Sequence, residues 1–126
     1  MEQRTTIERL AEDRNVWMAT SRAGHPPHLV PIWFVWTEER FWICTSQSVK
    51  TRNLLTDPHL TLSLENGNAP VVAEGRATLH ERPYPDPVRA AFGEKYQWDI
   101  NRPDEDGAYD VLIEAQVTRW VFGEPQ

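Results

Sequence analysis

Six apolar runs of strand length, each broken off by turn chemistry, leave this chain few folds to adopt. They occupy residues 16–20, 28–36, 41–45, 60–64, 71–79 and 111–121, and are rich in the β-branched and aromatic residues that suit a pleated surface. Arg22-Ala23-Gly24-His25-Pro26-Pro27 joins the first two, Thr37-Glu38-Glu39-Arg40 closes the next hairpin, and Asn66-Gly67-Asn68 a third. Strands joined mostly by tight turns point to an antiparallel barrel or sandwich. Ahead of them Ile7, Leu10 and Ala11 fall at helical spacing, with Thr5 or Thr6 placed to cap. The expected fold is mainly β (α+β): six antiparallel strands with short flanking helices.

At 126 residues the chain has the length for one core, so residues 1–126 are expected to form a single domain. A net charge of −6 argues against a nucleic-acid binder, which needs clustered Lys and Arg to neutralise phosphates, and against an anionic membrane surface. No run approaches the ~18 apolar residues of a membrane span. The start, Met-Glu-Gln-Arg-Thr-Thr, lacks the layout of a secretory signal. The sole cysteine, Cys44, permits no internal disulfide and fits a reducing compartment. The expected location is the cytoplasm, with neither nucleic acid nor membrane as partner.

Residues 81–110 interrupt the strand rhythm. Glu81, Asp86, Glu94, Asp99, Asp104, Glu105, Asp106 and Asp110 stand there against Arg82, Arg89, Lys95 and Arg102. A short helix is expected over 88–96, with Pro85 and Pro87 near its start, and a polar loop over 99–107. Such an excursion between barrel strands reads either as a plain acidic surface loop or as a lid that sets substrate choice.

The chemistry concentrates at Ser48-Val49-Lys50-Thr51-Arg52-Asn53-Leu54, directly after the run at 41–45. Ser48 sits where a helix N-cap belongs and Asp57-Pro58 ends the segment, so Lys50 and Arg52 fall in or near the first turn. Free N–H groups, a partial positive charge and two cations make a seat for a phosphate. Ordinary solvated charges on a surface helix are the alternative reading of the same residues. Other chemistries find little support. The chain has no Gly-rich dinucleotide fingerprint, Walker loop or nucleophile elbow. The histidines at 25, 28, 59 and 80 lack ligand spacing, so no metal site is expected. No carboxylate pair is marked out as an acid–base couple. A mid-strand Cys44 reads more simply as a small buried hydrophobe than as a nucleophile.

Taken in order, these pieces carry a resemblance. A helix leads into Val16-Trp17-Met18-Ala19-Thr20, then Gly24-His25-Pro26-Pro27-His28-Leu29-Val30-Pro31-Ile32-Trp33-Phe34, then the run at 41–45, the Ser48 to Leu54 motif, Asp57-Pro58 and Val72-Ala73-Glu74-Gly75-Arg76-Ala77. The succession resembles the pyridoxamine 5′-phosphate oxidase-like family of split β-barrel flavin or deazaflavin proteins over residues 7–80, and weakly beyond. The resemblance implies a homodimeric split barrel with flavin mononucleotide (FMN), or alternatively coenzyme F420, bound between protomers. It implies that Ser48 and Lys50 hold the cofactor phosphate, that Thr45 and Cys44 end the strand beside it, and that Val30, Pro31 and Ile32 run along the ring. Asn53 matches the polar residue of the Lys-x-x-Asn-Leu motif, and Arg52 is read as an auxiliary phosphate contact. The oxidase proper carries consecutive Arg-Lys where this chain has Val49-Lys50, and an arginine in the ring-contacting strand that residues 28–33 lack. These departures shift the expectation from pyridoxamine phosphate oxidation toward a small reductase of the same family.

Such an enzyme asks little of its side chains, because the cofactor carries the hydride to or from the small-molecule substrate. Of six tryptophans, Trp33 and Trp36 flank the ring-contact strand, and Trp17 and Trp42 lie on neighbouring strands. Most are expected in the core or the dimer interface, with one free to stack on cofactor or substrate. Arg119 and Trp120, on the last strand, read as a structural pair or as a substrate contact. Two functions remain: a flavin- or deazaflavin-dependent oxidoreductase, and a non-catalytic split-barrel protein holding flavin or haem.

Overall fold

The structure, a computed structural model, describes residues 2–105 and 107–126; Asp106 of the acidic excursion lies outside them. Its elements are α1 (Thr6–Glu12), β1 (Asn15–Thr20), β2 (His28–Trp33), β3 (Val35–Thr37), β4 (Arg40–Thr45), α2 (Val49–Thr56), β5 (His59–Leu64), β6 (Val72–His80), α3 (Asp86–Tyr96) and β7 (Val111–Phe122). The strands form one antiparallel sheet in the order β2-β1-β5-β6-β7-β4-β3. The sheet curls into the expected split barrel.

Local chemistry accounts for the boundaries. Thr5 Oγ1 accepts the Glu8 N–H at 3.1 Å while Glu8 Oε1 accepts the Thr5 N–H at 2.9 Å, a reciprocal cap that starts α1. Glu38 and Glu39 both hold φ of 57° between β3 and β4, the left-handed pair that a two-residue hairpin twisting with its strands requires. Gly75 sits at a register shift of β6, where a Cβ would stand 2.7 Å from the Gln116 carbonyl oxygen. The irregularity bends β6 so that it serves both β5 and β7.

Among the described residues seven strands form where six runs were expected, because the run at 28–36 divides at Phe34. Trp33 still pairs with Asn15 of β1, whereas Val35 pairs with Trp42 of β4. Between them the Phe34 N–H donates to the Tyr96 hydroxyl at 3.0 Å, and that hydroxyl lies 2.7 Å from the carbonyl oxygens of both Phe34 and Arg14. A side chain of α3 thus serves the backbone groups of Phe34, and the chain crosses from one end of the sheet to the other there.

Two apolar clusters hold this arrangement. The larger, with Met18, Phe34, Phe41, Ile43, Leu62 and Ile113, fills the barrel. The other lies on the outer face of β4 and β7, where Val88 and Phe92 of α3 meet Trp42, Ile100 and Leu112. The excursion therefore is not a plain surface loop: it carries a helix longer than expected, and Phe92 and Ile100 are fully buried. Burying a Phe side chain contributes about 1.5–3 kcal/mol, which explains why so acidic a segment stays folded against the sheet. Trp120 packs edge-on to Trp36 at 5.7 Å beside the barrel cluster, while Arg119 is exposed and pairs loosely with Glu74 at 3.6 Å.

Candidate functional site

The end of β4, the start of α2 and the edge strand β2 converge on a cavity of about 550 Å³. From the sheet side it is lined by Pro31, Ile32 and Trp33 of β2 and by Cys44, Thr45 and Ser46 leaving β4. Lys50 enters from the first turn of α2. The facing wall comes from the excursion, as Trp98, Asp104 and Tyr109. Such a volume is in the range of small-molecule and cofactor sites.

The backbone of the α2 start is fixed by its own residues. The Ser48 N–H donates to Thr51 Oγ1 at 2.8 Å, and the Thr51 hydroxyl donates to the Ser48 carbonyl at 3.0 Å. Lys50 Nζ donates to Ser48 Oγ at 3.0 Å, and among the described residues no carboxylate forms an ion pair with it. Partial burial lowers its pKa from the ordinary lysine value. A half-buried ammonium with no counter-ion among the described residues, beside the free N–H groups of a helix start, is poised to receive an anion.

Of the residues singled out from sequence, Pro31, Ile32, Cys44, Thr45 and Lys50 meet at this cavity. Ser48 touches it through Lys50. Val30 is half-buried on β2 opposite Met18 and is not in the lining. Asn53 is buried and donates through Nδ2 to Thr20 Oγ1 at 3.1 Å, tying α2 to β1. Arg52 lines a different cavity, of about 640 Å³, with Leu55, His80 and Arg82. Residues two apart on a helix point in nearly opposite directions, so Lys50 and Arg52 separate.

Cys44 donates weakly through Sγ to the Tyr109 carbonyl at 3.8 Å, and burial pushes its thiol up to about 12. At neutral pH it is an un-ionised part of the wall, since the thiolate is the nucleophilic form. Among the described residues Asp104 brings the lining's one acid, and its Oδ2 is buried with no hydrogen-bond donor among them. Trp33 is stacked on Tyr96 with ring centroids 4.4 Å apart, and Trp98 stands edge-on to it at 6.2 Å. Trp98, Asp104 and Tyr109 were not anticipated as site residues; two aromatics inside a polar, acidic stretch were the signal for them. Among the described residues no group of three His, Cys, Asp or Glu side chains is arranged to hold a metal, and no helix is long and apolar enough to cross a membrane.

The sequence model of the family described as pyridoxamine 5′-phosphate oxidase matches residues 4–122. No curated protein matches the chain. Among solved structures, HutZ, the haem storage protein from Vibrio cholerae, is similar at 22% identity over 93% of this chain and 94% of that one, with a TM-score of 0.69. An FAD-binding protein from Mesorhizobium loti is similar at 16% identity over 90% and 88%, with a TM-score of 0.65. An F420 reductase is similar at 21% identity over 95% and 98%, with a TM-score of 0.63.

Proposed function

We propose that this chain, which belongs to the pyridoxamine 5′-phosphate oxidase family, is a small cytoplasmic oxidoreductase holding FMN, or alternatively coenzyme F420, in the Lys50 cavity. The observation that carries the reading is the convergence of Pro31, Ile32, Cys44, Thr45 and Lys50, distant in sequence, on one cavity. Lys50 and Ser48 hold the phosphate, and the β2 segment at 31–32 runs along the ring. Residues 1–126 form one flavin- or deazaflavin-binding domain. The cofactor supplies hydride transfer to or from a small substrate, while the chain binds, orients and shields it. Two protomers pair through the β2 side, where Leu29 is 58% and Trp33 42% exposed.

A non-catalytic haem- or flavin-binding role is the second reading, supported by the likeness to the haem storage protein. Two features of the site favour flavin over haem. Among the described residues no histidine lines the cavity, and Lys50 is its one cation opposite Asp104, which suits a ligand with a single anionic arm better than one with two carboxylates. Purified protein incubated separately with FMN, F420 and haemin, then desalted, should retain a flavin-type spectrum. Retention of haemin alone, with its Soret band, would sink the enzymatic reading, and a monomer mass in light scattering would remove the paired cleft.

A further inference from the structure

The phosphate seat and the aromatic wall belong to one cavity but to separate parts of the chain, so they need not contribute equally to holding a ligand. We infer that Trp33 and Trp98 hold the planar ring independently of the phosphate seat, so that the cavity takes an uncharged flavin-type ring bearing no phosphate; this rests on the flavin reading above.

The geometry of the wall carries the inference. Trp33 and Tyr96 are nearly parallel, 9° between planes, and the Tyr96 hydroxyl is fixed by Phe34 and Arg14, so the stack is rigid before any ligand arrives. The Arg14 guanidinium lies 5.1 Å from the Trp33 ring and 4.8 Å from the Tyr96 ring. With those rings 4.4 Å apart, a guanidinium on the far face of Trp33 would be far more distant from Tyr96. Arg14 therefore lies beside the pair and does not cap Trp33. Trp98 is braced in turn, edge-on to Phe92 at 5.6 Å and to Tyr109 at 5.3 Å. Two nearly perpendicular indoles, 71° apart, make a corner: a flat ring lying on one meets the other edge-on, the arrangement aromatic quadrupoles favour. A pre-ordered wall of this kind loses little freedom on binding.

Riboflavin, which has the ring without the phosphate, and FMN separate the two contributions when titrated into wild type, Trp98→Ala, Trp98→Phe and Lys50→Ala. Wild type should bind both. Trp98→Ala should weaken both by a similar factor, roughly 5- to 150-fold by analogy with base–aromatic stacking, and Trp98→Phe should recover most of it. Lys50→Ala should weaken FMN and leave riboflavin unchanged. Bound-flavin fluorescence, quenched by the indole in wild type, should rise in the alanine variant. Wild type that binds FMN but not riboflavin would overturn the inference and leave the flavin reading standing, as would unchanged riboflavin affinity in a folded Trp98→Ala. Wild type that binds neither would overturn the inference and the FMN reading together. Should Trp98→Ala fail to fold, Trp33→Leu at the more exposed position decides by the same comparison.

Discussion

The two faces of β4 are completed by different kinds of sequence. Phe41 and Ile43 point into a barrel whose other residues come largely from strands joined by short turns. Trp42 and Cys44, alternating with them, are covered by Val88, Phe92 and Ile100, which arrive after most of the sheet has been laid down. All four are buried, so the strand reads as a continuous apolar run with no hint of which face is covered first. The cavity lies where the two halves meet, one wall from the β4–α2 motif and one from the excursion. Barrel and outer cover are thus joint owners of the site, and the motif and the excursion are not separable modules.

The strongest way to break that view is to empty the outer cluster. Phe92 is fully buried, and Phe92→Ala should cost about 3–5 kcal/mol in a denaturant melt, shifting one cooperative transition. A barrel transition left in place, with α3 lost separately, would show that the excursion is a detachable cover. The motif side should behave oppositely. Lys50→Ala should leave the melt nearly unchanged, because no ion pair with a described residue is lost, yet weaken FMN binding roughly 10- to 150-fold through the missing charge-assisted contact. Calorimetric titration with unchanged FMN affinity would retire the phosphate seat.

Tyr96 joins the halves, and its hydroxyl tests the join. Tyr96→Phe leaves the Phe34 N–H without its acceptor in a buried setting, which should cost about 1–3 kcal/mol and speed amide exchange at Phe34. A neutral outcome would mean that packing alone divides β2 from β3.

Lys95 gives the smallest effect, and one that depends on pH. Burial lowers its pKa from 10.5 to about 8, against the pull of Asp13 and with the help of Arg14; its Nζ sits 3.8 Å from the Phe34 ring centroid and donates to the Leu10 carbonyl at 3.3 Å. Below about 8 the amine is charged in both the folded and unfolded chain, and the folded one bears the desolvation cost. Between about 8 and 10.5 the unfolded chain binds more protons, so folding stability from this group rises with pH. Lys95→Met should therefore raise the melting temperature by a few degrees at neutral pH, with the gain shrinking as pH climbs through that window. A gain that stays constant would assign the effect to packing.

Much of the fold was legible because its causes are local. The Thr5 cap, the hairpin at Glu38 and Glu39, and the helix opened by Ser48 each rest on residues within about one turn of one another, and each forms where expected. The divergence of Lys50 from Arg52 was also present in the sequence, since it follows from helical spacing alone. The division at Phe34 was not: it depends on a hydroxyl 62 residues away. Nor was the burial of Asn53 against Thr20, 33 residues distant. Sequence by itself determined the family, the strands, the turns and the motif that forms one wall of the cavity, because propensity, capping and hydrophobic period act over a few neighbouring residues. Tertiary structure alone decided that an acidic excursion becomes a second core and brings Trp98, Asp104 and Tyr109 opposite Lys50, because burial rewards contacts between segments whose separate sequences carry no record of each other.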